Sequence, residues 1–167
     1  MIDLRALSTK KLDAPYPLPH VSRKALKRIA HPAPIPTRCP FCGSDVELVN
    51  NSDIYGREYG DWPYAYKCEN DNADCGAYVG LHPDTDIPLG TLADKPLRDA
   101  RNRGKKPFER IWRDGYMQRK EAYAWLAKQL GIPASDCHFG LFDTSRCNQA
   151  REVCEQYLAA LSCGAQA

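Results

Sequence analysis

Four cysteines, Cys39, Cys42, Cys68 and Cys75, carry the clearest chemistry in this chain of 167 residues. They fall as Cys-x2-Cys and Cys-x6-Cys with 25 residues between the pairs, and a glycine follows each pair at Gly43 and Gly76. Two such pairs supply the four thiolates that a tetrahedral Zn2+ takes, each pair from one turn, with the intervening chain returning as a hairpin. A glycine after the pair lets the chain reverse through positive φ while backbone N–H groups turn toward sulfur. The second spacing is longer than the usual two to four residues. The expectation is one structural Zn2+ on these four ligands. Eight cysteines in all would also fit a disulfide framework. Against that, Met1-Ile2-Asp3-Leu4-Arg5 opens a polar segment without the apolar core of a signal peptide. No run of about 18 apolar residues offers a membrane span either. A reduced, cytoplasmic protein that does not engage membranes is expected, with its paired cysteines acting as ligands.

The length suits one or two small domains. A net charge of +2 conceals strong segregation: residues 1–38 carry +6, residues 39–90 carry −8, residues 91–131 carry +6 and residues 132–167 carry −2. The metal-binding segment is therefore acidic, and the charge able to neutralise phosphates lies on either side of it.

Three segments must position this chemistry. Residues 1–37 read as a basic, proline-rich arm, partly disordered, because Pro15, Pro17, Pro19, Pro32, Pro34 and Pro36 favour extended backbone. Between them, residues 21–30 have room for about two and a half helical turns, too few to be stable alone. Such an arm either orders on a partner or on nucleic acid, or packs loosely on its own domain. Residues 38–90 read as a zinc ribbon, with strands at Val46–Val49, at Trp62–Lys67 and at Ala77–Leu81, and with Tyr64 and Tyr66 on one strand face. So small a module buries too little apolar surface to fold unaided, and metal binding, about 10–16 kcal/mol for structural zinc peptides, supplies the difference. Residues 91–162 read as a helical domain packed on the ribbon. Leu97, Ala100, Gly104, Phe108 and Ile111 form one stripe, interrupted at Pro107, which predicts a kink or two short helices. A second helix is predicted over Gln118–Leu130, and a third from about Asp143.

The first helical segment presents Arg98, Arg101, Arg103, Lys105, Lys106, Arg110 and Arg113 away from that stripe, opposed only by Asp99 and Glu109. These seven are the candidate phosphate contacts, with a merely solvated face as the competing reading. Tyr55, Tyr59, Trp62, Tyr64, Tyr66 and Tyr78 suit either base stacking or a small core. Cys137, His138, Cys147 and Cys154 lack the spacing of paired turns, and Cys147 and Cys154 fall on a buried helix stripe, so core cysteine is favoured over a second metal site. His82 with Asp84 and Asp86, and His138 with Asp143, match no hydrolytic spacing, and no phosphate-binding glycine loop occurs. An enzyme, in the form of a metal-assisted nuclease, ranks third.

The motif Cys39-Pro40-x-Cys42-Gly43 with Cys68 and Cys75 resembles the zinc ribbons of nucleic-acid enzymes such as topoisomerase tail modules. A longer pattern comprises Tyr78-Val79-Gly80-Leu81-His82, Pro88-Leu89-Gly90-Thr91-Leu92-Ala93-Asp94, Leu97-Arg98, the stretch from Ala122 to Ala127 and the stretch from Cys137 to Asp143. Over about residues 38–155 it is similar to a zinc-finger-containing family of phage, prophage and bacterial proteins. The resemblance implies a ribbon fused to a helical unit and a phage-like origin, with no reaction attached. The fold class expected is α+β, a zinc ribbon of short antiparallel strands followed by about three helices. The leading functional expectation is DNA or RNA binding through the basic helix. The alternative is a phage-type interaction module that engages a host protein complex, its acidic ribbon mimicking nucleic-acid charge.

Overall fold

The computed structural model describes residues 2–70 and 75–164; residues 71–74, within the long Cys68–Cys75 spacing, lie outside the described residues. The chain divides into two compact units, Met1–Lys95 and Pro96–Ala167.

The first unit is built on three antiparallel strands, β1 (Val46–Asn50), β2 (Tyr64–Cys68) and β3 (Tyr78–Gly80), in the order β1-β2-β3. Leu48 pairs with Tyr66, which pairs with Val79, so the two-residue period sends all three to one face. That face, with Cys39, Cys68, Cys75, Ala77, Leu81 and Leu92, forms the ribbon core. The opposite face carries Glu47 and Lys67 beside Tyr78. A short helix, α2 (Ser52–Tyr55), follows β1.

The segment expected to be a partly disordered arm is laid along the ribbon. Leu18 joins the ribbon core, while Ala6, Leu26 and Ile29 pack with Ile87 in a smaller cluster. Leu4–Ala6 forms one 3-10 turn, and Arg23–Leu26 is α-helical (α1), capped by the Ser22 hydroxyl, which accepts from the Ala25 N–H at 3.3 Å. The anchor is the loop after β3. The Asp84 carbonyl accepts from the Ser22 N–H at 2.8 Å, and Asp84 Oδ1 meets His20 Nε2 at 3.1 Å. Asp86, only 5% exposed, takes both arms of the Arg5 guanidinium at 2.7 and 2.8 Å, and Arg5 also binds Asp3. A buried carboxylate needs such a partner, and the bidentate geometry fixes the direction of the arm. Trp62 Nε1 donates to the Thr85 carbonyl and the Tyr66 hydroxyl to the Asp86 carbonyl, tying the same loop to the sheet.

In the second unit α3 (Lys95–Arg113), α4 (Arg119–Leu130) and α5 (Thr144–Gly164) enclose Ala100, Phe108, Ile111, Ala122, Leu126, Phe139, Phe142, Cys147, Ala150 and Cys154. The expected break at Pro107 does not divide the helix in two. The ring is buried on the core-facing stripe, where packing offsets the hydrogen bond it cannot make. Helices α3 and α5 meet at Gly104, where a Cβ would lie 2.7 Å from the Cys147 carbonyl oxygen. Among the described residues no helix is long and apolar enough to cross a membrane.

Candidate metal centre

The first cysteine pair sits in a tight turn. The Gly43 N–H donates to the Cys39 carbonyl at 2.9 Å and the Cys39 N–H to the Ser44 carbonyl at 2.8 Å, closing the loop around Cys42. Gly43 takes φ 75° there, a backbone state that disfavours a side chain. Cys68 ends β2 and Cys75 precedes β3, so the β2–β3 pairing brings the second pair to the same end of the ribbon.

All four Sγ atoms lie within 4.8 Å of one another. The shortest approaches run between the two turns, Cys39 to Cys75 at 3.5 Å and Cys42 to Cys68 at 3.4 Å. A disulfide needs about 2.05 Å, and all four cysteines are free. Four sulfurs at about 2.3 Å from a tetrahedral ion stand about 3.8 Å apart, so the observed cluster fits such an ion. The donor set is all-sulfur, with no position left for water, as in structural rather than catalytic sites.

Outer contacts tune the sulfurs. The Asn70 N–H donates toward Cys68 Sγ at 3.4 Å, and Ser44 Oγ lies 3.4 Å from Cys42 Sγ. The Ser44 hydroxyl and backbone hold the exposed Cys42 well below the ordinary thiol range. Burial pushes Cys68 and Cys75 up. Buried thiols resist collecting negative charge on their own, and a bound cation removes that resistance. Ser44 and Asn70 were not among the residues singled out by spacing. Their signal is only a hydroxyl or an N–H two residues beyond a ligand.

The other candidate sets scatter. The carboxylates grouped with His82 have other partners, Asp84 with His20 and Asp86 with Arg5. His138 Nδ1 accepts from the Gly140 N–H, while Asp143 accepts from the Arg146 N–H at the start of α5. Cys137, Cys147 and Cys154 are buried core thiols, each with its pKa raised by burial, and among the described residues the only gathered cysteine group is the tetrad.

The basic helix also reads differently in three dimensions. Lys105 and Arg113 flank Glu109 at 3.4 Å each, and Arg110 meets Asp114 at 3.5 Å, so the face is less short of acidic partners than its sequence suggests. Arg101 is half-buried and donates through Nε to the Phe142 carbonyl at 3.0 Å. Arg98 is half-buried as well, whereas Arg103 and Lys106 are exposed and lie outside these ion pairs. Of the ribbon aromatics, Tyr66 is buried, Trp62 and Tyr64 pack against the core, and Tyr55 and Tyr59 stay exposed.

No curated protein and no solved structure matches the chain. The family of zinc-finger-containing domains matches residues 35–157, which include all four clustered cysteines and most of the helical unit. With its ribbon, its sulfur cluster and this match over most of its length, the chain belongs to the zinc-finger-containing domain family.

Proposed function

We propose that the protein binds nucleic acid through the basic face of α3, and that one Zn2+ held by Cys39, Cys42, Cys68 and Cys75 serves structure alone. The observation that carries the first part is the row Arg103, Lys106, Arg110 and Arg113, all exposed on the side of α3 turned away from Ala100, Gly104, Phe108 and Ile111. The ion pairs of Arg110 and Arg113 are surface pairs, worth at most about 1 kcal/mol, and phosphate oxygens replace such partners readily. Among the described residues Arg103 and Lys106 have no ion pair to give up. Arg101, committed to a backbone carbonyl, contributes less. The ribbon, with a net charge of −8 over residues 39–90, contributes no phosphate contacts.

Fluorescence anisotropy with single- and double-stranded DNA and RNA at two salt concentrations tests this reading. Each phosphate contact steepens the dependence of log affinity on log salt by about 0.7 to 0.9. Arg103→Ala and Lys106→Ala should each flatten that slope by about one unit. A slope unchanged by both variants, or no binding at low salt, overturns the proposal. For the metal, elemental analysis should find one zinc per chain, lost in Cys39→Ser and Cys68→Ser.

A further inference from the structure

The outer face of the ribbon bears a set of tyrosines that neither the metal nor the basic helix uses. Tyr55 ends α2, and the loop to β2 reverses at Gly56 and Gly60, with φ of 76° and 78°. These reversals bring Tyr59 back to Tyr55, ring centroids 5.3 Å apart and planes at 85°. Tyr55 in turn meets Tyr78 of β3 at 5.7 Å and 88°, its hydroxyl donating to the Tyr78 oxygen at 2.9 Å. The loop backbone is held independently of these rings. Asn51 Nδ2 donates to the Tyr59 carbonyl at 2.9 Å, and Asn51 Oδ1 accepts from the Tyr59 N–H at 3.1 Å. Three rings are thus fixed in place, yet Tyr55 and Tyr59 remain 47% and 46% exposed.

Two observations identify what such a face takes. The Arg57 guanidinium lies 4.4 Å from the centroid of the Tyr59 ring, so this ring face already receives a cation from its own chain. The surroundings carry more negative than positive charge: Asp53, Glu58 and Asp61 are exposed along the same stretch, and Lys67, beside Tyr78, is paired with Glu47. Aromatic faces in a negative field repel the phosphates of a nucleic acid and attract guanidinium groups. We infer that the Tyr55–Tyr59–Tyr78 face docks an arginine-bearing, cationic peptide segment of a partner protein. One of its guanidinium groups displaces Arg57 over Tyr59, and its remaining positive charge faces Asp53, Glu58 and Asp61. Arg57 acts as an internal competitor for the site. This surface shares no residue with the basic face of α3, so each can fail without the other.

The test uses the full-length, metal-loaded protein and a fluorescein-labelled poly-arginine peptide, with a poly-glutamate peptide and labelled oligothymidylate as the other probes. Tyr59→Ala leaves net charge unchanged and should weaken poly-arginine binding about tenfold, whereas Tyr59→Phe should retain it. Arg57→Ala should tighten binding in the native background by more than it does in Tyr59→Ala, because only the native ring has a competitor to lose. Near-UV circular dichroism confirms that the variants keep the ribbon fold. Equal poly-arginine affinity in Tyr59→Ala and the native protein would show generic charge attraction and overturn the proposal. So would oligothymidylate binding that depends on Tyr59 in place of peptide binding, which would make the face a base-stacking platform.

Discussion

Cys42 and Cys68 are the same residue in opposite surroundings, one exposed beside a hydroxyl and the other buried at a strand end. Removing the hydroxyl with Ser44→Ala should weaken metal affinity by about tenfold, as outer contacts to ligands usually do. Competition with a chromogenic chelator reads this directly, and an unchanged affinity would show that Ser44 is a bystander. Outside the metal site, burial holds the His82 imidazole below its ordinary value. The unfolded chain then takes up this proton at higher pH than the folded one. The stability tied to neutral His82 is complete above about pH 6.5 and is lost as pH falls from there toward the lowered folded value. The melting temperature of native protein should therefore fall below that of His82→Gln progressively under about pH 6.5, relative to their difference at pH 8. Parallel profiles would refute the assignment. At this scale the sequence is legible where chemistry enforces spacing. The cysteine pairs announce themselves because one ion must be reached from two turns, whereas His82 draws attention with Asp84 and Asp86 only as neighbours in sequence. In space those carboxylates face His20 and Arg5.

Among the elements, helix positions follow from apolar periodicity, and the stripe from Ala100 to Ile111 is the buried face of α3. What periodicity cannot convey is how closely two helices approach. Gly104 reads as a weak point in a helix, yet it is where α3 passes the backbone of α5. Gly104→Ala should cost about 2 kcal/mol, against the small gain expected when alanine replaces glycine in an open helix. A urea titration that shows stabilisation would contradict the close crossing. The arm was illegible for a related reason. Its prolines and charges argue for extended, solvated chain, and its anchor lies 81 residues away at Asp86. No local pattern encodes a pairing over that distance. Arg5→Ala leaves the Asp86 carboxylate buried without its guanidinium. The cost should be about 2–3 kcal/mol, less than for a fully buried pair because Arg5 is 37% exposed. Limited proteolysis should then cut within residues 1–38 in the variant at protease levels that spare the native protein.

For the molecule as a whole, the two units differ in what holds them. The helical unit has a continuous core of its own, while the ribbon core is centred on the cysteines themselves. Chelation should therefore abolish the near-UV signal of Trp62, Tyr64 and Tyr66 while most far-UV helicity persists. Simultaneous loss of both signals would mean that the helices depend on the ribbon. The alternation of charge along the chain was readable from composition. Its division of labour, phosphates for one unit and cations for the other, becomes a physical proposal only with the exposed faces of α3 and the tyrosine loop in view. The exposure of Cys42 has a kinetic side. Three of the four sulfurs are shielded, so an incoming thiol or scavenging chelator meets the ion through this one ligand, without waiting for the ribbon to open. Exchange should then be second order, rising linearly with scavenger concentration, and the residence time of the ion would be set by its surroundings more than by the depth of its site.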